Sequence, residues 1–345
     1  MDKGGLVVEN SRGIVYVATK QERYIAEAFL SATSVKDLAA DIPITLFTDL
    51  PDSVFAKASC FDAVIPIDSA EKFGRSWSEG QLDRIKCLPH SPYSFTLHLD
   101  ADTRIRNPEV VSAFDILEQH DIAMVECSED NSYSREKYGQ PMFNVGFILY
   151  RKSARVMDLL RCWERTTKEF FQIASSEEIP QIACLSHVDD PDVRRKLLFM
   201  DQLSMVQLLS PTVNKCDVDC KILSERWNYR GSNSGRPAPT DVIVDHHPEL
   251  RNRYFIRDLA LASMRCQSQG EPQLALAVLR WLDNHSPGQM DVMKLIVMNE
   301  VHNKNYHEAV ESLDRLLFYY PGYTWANSAK SKIVALMVNR APVDD

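Results

Sequence analysis

The sequence predicts an α/β domain followed by a small all-α helical-repeat domain, and three observations carry that reading. Short β-rich runs alternate with longer helical patterns through the first part of the 345 residues. Beyond about residue 255 the strand signal stops and the pattern turns helical. Within that tail an apolar pattern returns after 34 residues. The boundary is placed between 1–254 and 255–345.

Taken in order, Gly13 to Ala18 is a buried strand and Gln21 to Val35 an amphipathic helix. Ile44 to Thr48 is the second strand, followed by a helical stretch around Pro51 to Ser59. Ala63 to Ile67 and Ser94 to Leu99 are the third and fourth strands. This βαβαβ order points to a parallel, twisted sheet, whose ligands bind beyond the carboxyl ends of the strands. Residues 127–140 and 171–200 read as loops or insertions that could shape an acceptor site. In the tail, Ala275, Leu279, Leu282 and Pro287-Gly288 recur as Ala309, Leu313, Leu316 and Pro321-Gly322. The offset is the tetratricopeptide period, with Thr324 to Asn339 as a closing helix. Two such repeats stack poorly alone, so the module is expected to pack on the first domain or on a partner. An unrelated helical hairpin with coincident spacing is the alternative.

Composition excludes several function classes. A formal charge of −9 offers no basic excess to displace phosphate counterions, so no nucleic-acid role is expected. No stretch approaches the roughly 20 apolar residues that span a bilayer, and Met1 to Ser11 lacks a signal-like apolar run. The expected location is cytoplasmic, without a transmembrane segment. The eight cysteines are scattered and read as reduced, mostly buried thiols. Cys216 and Cys220 lie close, but no second pair completes a four-ligand zinc site.

The sharpest local signal is Leu97 to Thr103, where alternating apolar residues end in Asp100-Ala-Asp102. A strand-end Asp-x-Asp suits Mn²⁺ or Mg²⁺, because hard cations take oxygen ligands. Val242 to Pro248 ends in two histidines, and strand alternation puts Val244 and His246 on one face. His246 is therefore the preferred third ligand, with His247 in reserve.

The run Asp83-Arg-Ile-Lys86, then Leu88, then Leu97 to Thr103, resembles the signature of glycosyltransferase family 8, the group of glycogenin and the bacterial lipopolysaccharide galactosyl- and glucosyltransferases. The resemblance runs in order across roughly residues 13–250 and implies a GT-A fold, the Rossmann-like nucleotide-diphospho-sugar transferase. It implies that Thr19 hydrogen-bonds the base and that Tyr24 stacks on it, or else packs in a helix core. Lys86 matches the lysine that faces the nucleotide-sugar, with a solvated surface lysine as the alternative. Asn144, in Phe143-Asn-Val-Gly146, is implied to contact the donor sugar, although Val145 stands where the family has Ser. Asp201-Gln202 resembles the pair beside the sugar hydroxyls and the reacting carbon, and Asp201 would also serve as a helix cap. Leu223 to Tyr229 looks like the late strand before the last metal ligand. The family's Gly- and Lys-containing loop after that ligand is missing; Arg251 and Arg253 are offered in its place as a diphosphate clamp.

Together these imply a metal-dependent enzyme, with Asp100, Asp102 and His246 on the cation. It would transfer a hexose from a UDP-sugar to a hydroxyl acceptor with retention. Acceptors could be a glycan, a lipid-linked sugar or a protein, and the C-terminal helices could engage a protein partner. The non-enzymatic alternative is a degenerate transferase scaffold whose repeats bind a partner. Haloacid-dehalogenase-like phosphatases also carry a strand-end Asp-x-Asp. Theirs follows the first strand and has Thr or Val where this chain has Arg104.

Overall fold

A computed structural model describes residues 8–69, 76–127, 142–211, 213–214, 216–230, 239–246 and 251–338, the side chains of 8–10, 76–77 and 251–254 excepted. The chain divides into two compact units, Met1–Leu250 and Arg251–Asp345.

In the first unit seven of the described strands form one sheet. They are β1 (Val8–Val17), β2 (Ile44–Thr48), β3 (Ala63–Pro66), β4 (Tyr93–Leu99), β6 (Ile122–Glu126), β7 (Phe143–Arg151) and β8 (Cys220–Leu223), in the order β3-β2-β1-β4-β7-β6-β8. Two further strands, β5 (Thr103–Ile105) and β9 (Val244–His246), form a separate antiparallel ribbon. β1 pairs parallel with β2 and β4, and β2 with β3, as the alternating pattern predicts. The sheet is nevertheless mixed: β7 runs antiparallel to both β4 and β6. Every residue of β2 is buried, and so is the second half of β4, as expected of strands covered on both faces.

The described helices of this unit are α1 (Glu22–Leu38), α2 (Ser76–Cys87), α3 (Ala154–Ala174), α4 (Pro191–Leu198) and α5 (Asp201–Leu209). The core on the β7 side joins Phe143, Ile148 and Tyr150 to Trp163, Phe171 and Leu203. Trp163 Nε1 donates to the Asp201 carbonyl at 2.9 Å, and Thr167 meets Ser204 at 2.7 Å, which fixes the start of α5 against α3.

Three expectations are corrected. Pro51 to Ser59 is a chain of turns closed mostly by i to i+3 bonds, among them Ser53 N to Leu50 O and Ala56 N to Ser53 O. Such bonds do not propagate as an α-helix. The stretch 171–200 holds the end of α3 and all of α4, which starts at Pro191 behind an Asp190 cap. Leu223 to Tyr229 is not one strand: β8 ends at Leu223, and a short 3₁₀ turn at Glu225–Trp227 follows. Most of 127–140 lies outside the described residues.

The second unit contains α6 (Arg251–Ser268), α7 (Pro272–His285), α8 (Met290–His302), α9 (Tyr306–Tyr319) and α10 (Thr324–Val338). The 34-residue recurrence extends to backbone hydrogen bonds. Glu271 N to Cys266 O is repeated by Asn305 N to Glu300 O, and Ser286 N to Leu282 O by Tyr320 N to Leu316 O. The left-handed residues Gly270 (φ 84°) and Lys304 (φ 62°) occupy equivalent turns. Ala275, Leu279 and Leu282 are buried, as are Ala309, Leu313 and Leu316. Among the described residues no helix is long and apolar enough to cross a membrane.

Candidate metal centre

The site grows from the end of β4. Its last residues lie between β1 and β7, with Leu97 paired to Ile14 and to Leu149. Past Leu99 the Asp100 amide donates to the Gly146 carbonyl at 2.9 Å, so the chain stays pinned to β7 for one more residue. It then turns into β5. Thr103 pairs with His246 across the ribbon, which brings a residue far along the chain back to the acidic turn.

A hydroxyl chain supports that turn from behind. Tyr16 meets Ser31 at 2.8 Å, Ser31 meets Thr103 at 2.7 Å, and Thr103 Oγ1 donates to the Asp100 carbonyl at 2.8 Å. Because Thr103 spends its proton on that carbonyl, Ser31 donates to Thr103 and Tyr16 to Ser31.

The result is a group of three ligand-type side chains. One atom each of Asp100, Asp102 and His246 lies within 4.8 Å of the others. His246 Nε2 is 3.2 Å from Asp102 Oδ1 and 3.9 Å from Asp100 Oδ2. β7 makes room for them. Its register against β6 jumps from Met124–Ile148 to Val125–Asn144, leaving Val145 to Phe147 bulged at the site. A Cβ on Gly146 would stand 2.5 Å from Asp100 Oδ2 and 2.9 Å from His246 Cε1, so only glycine leaves those side chains their places. Asn144 is buried, and its Oδ1 accepts from the Gly146 amide at 3.0 Å, holding the bulge.

Arg84, which sequence reasoning passed over in favour of Lys86, organises the other side. Its guanidinium donates to Asp100 Oδ1 at 2.5 Å and to Asp201 Oδ2. The two lie on α2 about 200° apart, so Arg84 and Lys86 leave the helix in different directions. Burial acts on both carboxyls. It pushes Asp201 above the ordinary carboxylate value despite Arg84, whereas Arg84, His98 and His246 overcome it at Asp100 and hold that group well below. Burial works against the Arg84 charge as well, but the two carboxylates more than offset it and raise its pKa. Asp100 thus keeps one oxygen on Arg84 and turns the other toward Asp102 and His246.

Several buried polar atoms around this crevice have no hydrogen-bond partner among the described residues: His98 Nε2, His246 Nδ1, Gln202 Oε1, and both polar atoms of Asn228. His98 Nδ1 faces the Val15 carbonyl at 3.1 Å, and its Nε2 is 3.6 Å from Asp100 Oδ1. Asp201 opens α5, but the capping position belongs to Met200, so the carboxyl serves Arg84 and not the helix end. Gln202 is half-buried beside it.

The other sequence candidates are more scattered. Thr19 is buried at the end of β1, donating its hydroxyl to Asp83 of α2 at 2.9 Å. Tyr24 is half-buried in the first turn of α1, and Lys86 half-buried in the last turn of α2. The side chain of Arg251, with Arg253 and His247, lies outside the described residues. Two carboxylate oxygens and an imidazole nitrogen, one each from Asp100, Asp102 and His246, fit a divalent cation in a mixed oxygen and nitrogen shell.

No family model matches the chain and no curated protein matches it. Solved structures do. The galactosyltransferase LgtC, in complex with donor and acceptor sugar analogues, is 17% identical with a TM-score of 0.43, over 68% of this chain and 87% of LgtC. The glycosyltransferase GlyE of Streptococcus pneumoniae TIGR4 is 13% identical with a TM-score of 0.40, over 72% of this chain and 61% of GlyE. The bifunctional glycosyltransferase WbbM is 13% identical with a TM-score of 0.45, over 73% of this chain and 50% of WbbM. All three of these structures are of glycosyltransferases.

Proposed function

We propose that the protein is a metal-dependent glycosyltransferase of GT-A type, resembling family 8, that moves a hexose from a UDP-sugar to a hydroxyl acceptor with retention. The observation that carries the reading is the convergence of Asp100, Asp102 and His246 at the carboxyl end of β4. That is where an α/β sheet takes its ligands. Asp100 Oδ2, Asp102 Oδ1 and His246 Nε2 would hold Mn²⁺ or Mg²⁺. Bound there, the cation supplies Lewis-acid stabilisation of the charge that grows on the leaving diphosphate. Arg84 holds Asp100 in its ligating orientation and ties it to Asp201. Asn144, Asp201 and Gln202 are assigned to the donor sugar, and Thr19, Tyr24 and Lys86 to the nucleotide. The helical unit is read as tetratricopeptide-like, on the strength of its repeated turns, and would serve a protein acceptor or an assembly partner.

Asp102→Asn tests the assignment. It should abolish metal-dependent hydrolysis of a UDP-sugar and leave the protein folded, as a circular-dichroism melt would show, since the amide keeps the size and shape of the carboxylate it replaces. Unchanged turnover refutes the reading. Mass spectrometry of products from a panel of UDP-sugars then names the sugar.

A further inference from the structure

Charge balance at the crevice leaves one cation without an assignment. With a divalent ion on the two aspartates and the histidine, a diphosphate would still bring net negative charge into the site. A second cation is needed to hold it. The arginines around the crevice and the β5–β9 ribbon are spoken for: Arg84 by Asp100 and Asp201, Arg104 by Glu27, Arg106 by Asp245, and Arg226 by Glu109. Arg230 is different. Among the described residues it makes no hydrogen bond or ion pair, and its Nε is shut away from solvent without an acceptor.

Backbone register puts Arg230 beside the metal group. Tyr229 bridges Asp245 in parallel fashion: its amide donates to the Val244 carbonyl at 2.8 Å, and the His246 amide donates to the Tyr229 carbonyl at 2.9 Å. Strand alternation then sets Asn228 level with Val244, and Arg230 level with His246, on the face opposite to Tyr229 and Asp245. Asn228 is 2% exposed, yet among the described residues neither its oxygen nor its nitrogen has a partner. A buried amide with both polar atoms idle and, two residues on, a half-buried guanidinium with no counter-charge among the described residues mark this edge as built for a polar anion.

We infer that the Asn228–Arg230 segment is the diphosphate-binding edge of the site, with Arg230 clamping the phosphate oxygens that the metal group leaves free. This rests on the donor reading above and supplies, from within the first unit, the cation that the loop after His246 was expected to provide. Arg230 is held on its strand by the Tyr229 bridge. A guanidinium there can meet two phosphate oxygens at once, whereas an ammonium meets one.

The test is equilibrium binding of UDP, UMP and uridine with Mn²⁺, by calorimetry, to the wild type and to Arg230→Ala and Arg230→Lys. Wild type should bind UDP more tightly than UMP. Arg230→Ala should weaken UDP about tenfold or more, the usual effect of losing a charge-assisted hydrogen bond, while uridine is unchanged. Arg230→Lys should fall between. If Arg230→Ala binds UDP as the wild type does, or loses uridine to the same degree, the assignment of Arg230 is overturned and the donor reading stands. If the wild type itself ignores UDP with Mn²⁺, the donor reading falls and takes this assignment with it. A circular-dichroism melt of each variant separates lost affinity from lost fold.

Discussion

Two carboxylates in the same sheet unit, the buried Asp121 and the half-buried Asp100, have opposite surroundings. Asp121 stands at the head of β6, fully buried, where Arg151 Nε and Nη2 reach it at 2.9 and 2.6 Å, Arg155 at 3.1 Å, and the Asp219 amide at 3.1 Å. Every direction in which it can accept is filled by protein. Asp100 has one oxygen filled and the other turned into a space that a bulge and a glycine keep open, beside atoms that lack partners among the described residues. Both are pulled upward by burial and end below the ordinary carboxylate value, so the titration shift alone does not separate them. Satisfaction does: a completed shell belongs to the fold, and an incomplete one is an invitation to a ligand.

The comparison is easiest to break at Asp121. Asp121→Ala should cost about 3 kcal/mol of stability, the low end for breaking a buried pair because Arg151 and Arg155 are partly solvated. Any Mn²⁺-dependent activity per folded molecule should persist. The sign with pH follows. Burial raises the Asp121 pKa, but the Asp219 amide and the two arginines outweigh it and leave it lowered. Its stabilisation is therefore complete above about pH 4 and is lost as pH falls through the lowered native value. Chemical denaturation of wild type and variant at several pH values should show the gap closing at the acid end. A gap that widens there would contradict the assignment.

Gly146→Ala probes the other carboxylate. The added Cβ must displace Asp100 or His246, and displaced support typically weakens metal affinity or activity by about 10- to 100-fold. Calorimetry with Mn²⁺ reads this directly, and a variant that binds manganese normally would show that the space at Gly146 serves packing alone. The smallest effect comes from the helical unit, where the same turn is made once with Gly270 and once with Lys304. Lys304→Gly should change stability by about 1 kcal/mol or less in the favourable direction, and Gly270→Ala should lose about as much, because the left-handed conformation taxes any Cβ. Nothing lies within 4 Å of a Cβ on Gly270, so the backbone alone decides the outcome. Equal melting temperatures for both variants and the wild type would sink it.

What could be read from the sequence was whatever local periodicity encodes. β2 matches its expected span, and Asp100, Asp102 and His246 were selected because strand alternation fixes which residues share a face. Periodicity also located the helical unit, since each turn there is made by residues close in the chain. It failed where tertiary partners decide. An apolar run such as Phe143 to Tyr150 shows that a strand is buried but not which way it runs. Arg84 looked no different from Lys86 until the fold brought in Asp201, far along the chain. Pro51 to Ser59 had helical spacing, yet most of its bonds close at three residues and no helix follows from them.

The Thr103–His246 register carries a consequence for how the protein is made. The acidic turn lies mid-way along the first unit and the imidazole at its end, so the three-point grip is a long-range contact that must wait for loop closure. A chain still being synthesised would display the two aspartates long before the histidine arrives, and would hold cations only loosely. Tight chelation would therefore mark the last stage of maturation, and metal retention could be used to tell finished molecules from partly folded ones.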